Sequence, residues 1–141
     1  MTINEVQDEI IAEFSELTDW MDRYAYIIDL GNTLTEYPES EKTPANIIEG
    51  CQSRGWISAK QNNDKTNHFD ADSDALIVKG IIALLLKVLN DRTPDEILNA
   101  DLYFIEKIGL KDHLSPTRSN GLLAMVRQIH NYARAFKALQ A

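Results

Sequence analysis

Cys51 is the one thiol in this chain of 141 residues, and it stands in the stretch Ile47-Ile48-Glu49-Gly50-Cys51-Gln52-Ser53-Arg54-Gly55-Trp56-Ile57. A cysteine thiolate is a nucleophile, so this stretch is where chemistry is sought first. Two readings of it compete. A lone cysteine is commonly a small buried hydrophobe. Gly50 and Gln52-Ser53, however, read as a turn ahead of a strand-like run, and loops carry chemistry more often than cores do. Local sequence leaves both readings open. With His113 as a base, Cys51 could also serve a cysteine hydrolase, which would need the two side chains in hydrogen-bond reach and an oxyanion hole. The three histidines, His68, His113 and His130, are far apart and show no ligand pairing, so no metal is expected. A single cysteine excludes an internal disulfide framework.

Composition narrows the partners. The formal charge of −8 disfavours nucleic acid, whose phosphates would repel the surface. No apolar run reaches the length of a membrane span. Met1-Thr2-Ile3-Asn4-Glu5 lacks a basic region followed by an apolar core, so no secretory signal is expected. The cytoplasm, where thiols stay reduced, is the expected compartment.

The elements that must hold Cys51 follow from hydrophobic periodicity and caps. Thr2 and Glu5 form a capping box ahead of a helix with Val6, Ile10, Phe14 and Leu17 on one face. Asp19 caps a second helix with Met21, Tyr24, Ile27, Ile28 and Leu30 inward and Gly31 as its stop. Residues 32–46 read as a long surface connection pinned by Leu34 and Tyr37. Trp56–Gln61 and Asn67–Ala71 read as a hairpin about a turn at Asn62–Lys65, with Asn46-Ile47-Ile48 as a third strand. Asp72-Ser73-Asp74 caps a central helix, Ala75–Asn90, apolar nearly all round. Gly80 in its interior implies a close approach, expected to be helix on sheet. Thr93-Pro94 opens a short helix, another starts near Leu102, and a last one runs from Pro116 to about Leu139. The expected architecture is α+β: several helices around one antiparallel sheet of about three strands, in a single domain spanning 1–141, with the cysteine on a loop at one end.

At this point the residues resemble a known family. Gly50-Cys51-Gln52-Ser53 followed by Trp56-Ile57 is similar to the cysteine loop of the SufE family of sulfur-acceptor proteins. Ser73-Asp74-Ala75 with Ile77-Val78-Lys79-Gly80 resembles the start of that family's central helix. His113-Leu114-Ser115-Pro116-Thr117-Arg118-Ser119-Asn120-Gly121 is similar to its "H-L-[ST]-P-x-R-x-x-G" segment, and Tyr26–Gly31 to its early helix. The four blocks occur in the family's order, and the likeness runs from about residue 14 to 137. Gly55 departs from the pattern, because relatives commonly carry a bulkier residue before the tryptophan. A glycine there weakens a strand and loosens the cysteine loop.

The resemblance implies a SufE/NifU-like fold and a sulfur carrier rather than a stand-alone enzyme. Cys51 would accept sulfane sulfur from the persulfide of a SufS-type cysteine desulfurase, stimulate that enzyme, and pass the sulfur to an iron–sulfur scaffold of the SufBCD type. Pyridoxal phosphate would belong to the desulfurase, and this chain would bind no cofactor. Arg118 is a candidate thiolate stabiliser, with Arg54 and His113 beside it; pairing of Arg118 with a carboxylate such as Asp74 is the competing role. Gly50, Gln52, Ser53 and Trp56 are the expected loop and shelter, Trp56 together with residues of the central helix. The alternatives are a binding domain with a buried, inert cysteine and the Cys51–His113 hydrolase.

Overall fold

The computed structural model describes residues 1–48, 54–110 and 116–140, with the side chains of 116–120 outside the description. Six helices and one hairpin form the framework of the described residues: α1 (Ile3–Ser15), α2 (Trp20–Gly31), β1 (Gly55–Gln61), β2 (Asn67–Ser73), α3 (Leu76–Leu89), α4 (Pro94–Asn99), α5 (Phe104–Lys107) and α6 (Pro116–Gln140). The architecture is α+β, as the periodicities imply.

Local chemistry starts the helices where the sequence marks them. Thr2 accepts from the Glu5 N–H while Glu5 reaches back to the Thr2 N–H, and Thr93 and Glu96 repeat the exchange at α4. Each box satisfies two donors that a helix start leaves orphaned. Asp19 caps α2 through the Met21 N–H. One expected stripe residue is displaced: Met21 is 72% exposed. It lies about 120° around the helix from Ile27, outside the buried line that continues to Gly31.

α3 is the centre of the core, with all but four of its fourteen residues buried. Its Gly80 meets α2, not the sheet. A Cβ built on Gly80 would stand 2.0 Å from the Ile27 carbonyl oxygen, and one on Gly31 2.9 Å from the Gly80 nitrogen. Two glycines thus let the backbones of α2 and α3 touch, which corrects the expected helix-on-sheet reason for Gly80.

Among the described residues the sheet has two strands where about three were expected. β1 and β2 pair antiparallel from Gly55↔Ser73 to Gln61↔Asn67, through a turn in which Lys65 takes φ 68°. Residues 44–46 form a 3₁₀ turn that begins with proline, so among the described residues a single bridge, Ile47 to Trp56, stands where the third strand was expected. Ile57, Phe69 and Ala71 face the core, where Tyr132 of α6 packs on Phe69 and donates to the Ile57 carbonyl at 3.2 Å. Trp56 and Ser58 alternate onto the other face, as strand geometry requires. That face is covered by the 32–46 connection: Tyr37 is 5% exposed, and Leu34 packs against the core.

Candidate functional site

The chain on either side of the cysteine stretch is fastened to the hairpin and to the start of α3. On the upstream side, the Ile48 N–H donates to the Gly55 carbonyl at 2.8 Å, next to the Ile47–Trp56 bridge. On the downstream side, Arg54 is held at both its backbone groups. Its N–H donates to Asp74 Oδ1 at 3.0 Å, and its carbonyl accepts from the Asp74 N–H at 3.1 Å and from Ser73 Oγ at 3.0 Å. Ser73 Oγ in turn accepts from the Ala75 N–H at 3.2 Å. The residues that flank 49–53 are therefore joined to each other by one backbone hydrogen bond and braced on one side by a serine and an aspartate.

This assigns Ser73 and Asp74 a task that capping statistics did not. The sequence marks Asp72-Ser73-Asp74 as a helix cap, but the cap position of α3 is Ala75, and no side chain among the described residues caps it. The Asp74 carboxylate goes instead to Arg54, twenty residues upstream. The signal in the sequence was a short polar cluster between strand and helix; its partner is long-range and invisible to local pattern.

Next to the anchor lies a charge network that the sequence reading missed. Asp72, the cross-strand partner of Trp56, holds Lys79 Nζ at 3.5 Å and Lys42 Nζ at 3.4 Å. Its Oδ1 also accepts from the Ser73 N–H at 2.8 Å. Lys42 reaches Glu39 at 3.0 Å and stands 5.1 Å over the Trp56 ring, a cation–π distance. Hydrogen bonds to Glu39 first, and then to Asp72, hold the Lys42 ammonium above its ordinary pKa. Trp56 is therefore half-buried beneath a lysine of the 32–46 connection. Lys79 belongs to a stretch the sequence singled out, whereas Lys42 carried no signal because it lies far from Trp56 and Asp72 along the chain.

Gly55, expected to loosen this region, is buried, and the Ile48 Cδ1 methyl sits 3.2 Å from where its Cβ would stand. The isoleucine upstream of the cysteine occupies the room a larger residue at 55 would take. Arg54 is exposed and is fixed by its backbone groups. Gly50, Cys51, Gln52 and Ser53 lie outside the described residues, as does His113, and so does the side chain of Arg118. Of the expected site, the structure thus describes Trp56 and Arg54 and the frame to which the rest is attached. Asp74, named as a possible partner of Arg118, is engaged with the Arg54 backbone.

Among the described residues, no group of three or more His, Asp or Glu side chains could hold a metal ion, and no helix is long and apolar enough to cross a membrane. The backbone clamp places the start of α3, the positive end of its dipole, beside the residues that flank the cysteine stretch. Such a frame suits a short segment whose two attachments must stay fixed.

Comparison with known proteins gives two findings. The family model described as "SufE: Fe-S metabolism associated domain" matches residues 8–133. A solution structure of a hypothetical protein from Thermus thermophilus aligns with a TM-score of 0.75 at 20% identity, over 96% of this chain and 97% of that one. At that identity the likeness is one of fold.

Proposed function

The chain belongs to the SufE family of proteins associated with iron–sulfur metabolism, and we propose that within it this protein is a sulfur acceptor and carrier whose working atom is Cys51 Sγ. The observation that supports this most directly is the position of the sole cysteine in a short stretch whose flanks are tied together through Ile48, Gly55, Ser73 and Asp74. One thiol suits a shuttle, because no second thiol in the chain can attack the persulfide and discharge it as a disulfide.

The step is exchange at sulfur. The Cys51 proton leaves to solvent or a base, the thiolate attacks the outer sulfur of a donor persulfide, and a new S–S bond forms. The donor's S–S bond breaks, and its thiolate departs with the electron pair. The donor is a cysteine desulfurase of the SufS type, which supplies the pyridoxal phosphate; the recipient is an iron–sulfur scaffold of the SufBCD type. A free cysteine with a pKa of about 8.5 is only a few per cent thiolate at neutral pH, so attack gains from cations and backbone donors nearby. Arg118, Arg54 and the positive end of α3 are the groups offered for that work, and Gly50, Gln52, Ser53 and Trp56 are proposed as the loop and shelter of the cysteine. Sulfur transfer in this reading takes place in the cytoplasm, in one domain spanning 1–141.

The test is intact mass after incubation with a desulfurase, pyridoxal phosphate and cysteine. The native chain is expected to gain one sulfur, removed by reductant and mapped to Cys51. Cys51→Ser is expected to fold and gain none. Sulfur acceptance by Cys51→Ser, or an unchanged mass of the native chain beside an active matched desulfurase, would remove the proposal.

A further inference from the structure

A cleft of about 520 Å³ opens where the end of α2, the middle of β2 and the last turns of α3 meet. Its walls are aliphatic at Leu30, Leu34, Ala83 and Leu86. Volume and lining fall in the range of small-molecule sites, in which a few polar groups orient a ligand over apolar walls.

Most polar groups on the walls are already committed. The Asn90 side chain accepts from the Phe69 N–H at 2.6 Å and donates to the Phe69 carbonyl at 3.2 Å. Asp91 Oδ1 meets His68 Nδ1 at 2.9 Å and accepts from Asn62 Nδ2 at 2.9 Å. Thr33 Oγ1 donates to the Leu30 carbonyl at 2.6 Å. Two charges of opposite sign are left. Lys87, on α3, is exposed and has no ion pair among the described residues. Asp70, on β2, meets His68 Nε2 at 3.6 Å and adds its charge to the field at the Tyr37 hydroxyl, with no hydrogen bond to its carboxylate among the described residues.

A cation on one wall and an anion on another, over an aliphatic surface, form the complement of a small zwitterion. We propose that this cleft binds a zwitterion with an aliphatic side chain, of the class of a free α-amino acid or a dipeptide. Its ammonium sits at Asp70, its carboxylate at Lys87, and its side chain on Leu30, Leu34 and Leu86. The Thr35 hydroxyl, also on the wall, is a further polar contact for either end. None of these residues takes part in sulfur transfer, so the proposal is independent of the role of Cys51.

The test is titration of the isotope-labelled full chain, followed by amide chemical shifts, with leucine, glycyl-leucine, N-acetyl-leucine and leucinamide. Leucine or glycyl-leucine is expected to give saturable shifts centred on Leu34, Asp70, Ala83 and Lys87; whichever binds more tightly identifies the source of the zwitterion. N-acetyl-leucine and leucinamide, each lacking one charge, are expected to bind roughly tenfold more weakly, the loss of one charge-assisted hydrogen bond. Asp70→Asn and Lys87→Met, checked by unchanged shifts far from the cleft, are expected to lose a similar factor. The proposal is overturned by the absence of saturable shifts with both leucine and glycyl-leucine. Equal binding of the blocked forms, which would mark a merely apolar groove, or native affinity in both variants, has the same consequence.

Discussion

Replacing Gly80 by alanine puts a methyl group where the backbone of α2 already lies. The new Cβ would stand 2.0 Å from the Ile27 carbonyl oxygen, 2.4 Å from Ile27 Cγ2 and 2.6 Å from the Ile27 carbonyl carbon, against 3.4 Å for ordinary contact. The helices would have to part by roughly 1.4 Å at their crossing, because the obstacle is backbone and cannot rotate aside. Overpacking of a well-packed core costs about 1–3 kcal/mol and occasionally more, and this overlap belongs at the upper end. Alanine returns about 1 kcal/mol of helix propensity. The expected net loss is roughly 2–3 kcal/mol, a fall in Tm of about 6–10 °C for a domain of this size. Thermal and urea unfolding followed by circular dichroism would measure it. Gly31→Ala, whose Cβ meets the Gly80 nitrogen at 2.9 Å, is expected to lose less. Gly55→Ala, opposed most closely by the movable Ile48 Cδ1 at 3.2 Å, should be near neutral. A Gly80→Ala protein as stable as the native one, or an order with Gly55→Ala the most damaging, would refute the close crossing.

Three further expectations concern the anchor and the titrating groups. Asp74→Ala removes the acceptor for the Arg54 N–H and should cost about 0.5–1.5 kcal/mol, read most directly as faster hydrogen exchange at the Arg54 amide with the Ile48 amide less affected. Tyr26 is pushed up to about 12 by burial first and then by its hydrogen bond to Glu13, so its phenolate absorbance should appear later than that of an ordinary tyrosine. Its folded value is raised, so that contribution to stability is complete below about pH 10 and is lost as pH rises through about 12; Glu13→Gln should advance the titration. His130 is held below its ordinary value by burial first and the Arg134 charge second, and its Nε2 is buried with no partner among the described residues. Its folded value is depressed, so the stability is present above about pH 6.5 and declines as pH falls through the folded value. His130→Gln should flatten stability between neutral and mildly acidic pH, measured as urea midpoints.

Local chemistry in the sequence was sufficient for the helices and the hairpin, while Cys51 itself lies outside the described residues. Capping boxes at Thr2 and Thr93, the Asp19 cap and the hairpin turn act within a few residues, so their effect can be read from residues that are neighbours in the chain. The family blocks around Cys51, Asp74 and Arg118 were likewise legible as ordered words, and the match over residues 8–133 agrees with them. What the sequence left undetermined was where long-range partners meet. The third strand was expected from β-branched residues at 47 and 48, but the proline-led turn at 44–46 leaves one bridge there among the described residues. Gly80 announced a close approach without naming α2 as the neighbour, and Met21 looked inward until the helix was set against its packing line. The clamp of Asp74 on Arg54 and the pairing of Lys42 and Lys79 through Asp72 join residues up to 37 positions apart. Such pairs are selected by tertiary packing, because hydrogen bonds and charges act over a few ångströms of space and take no account of distance along the chain.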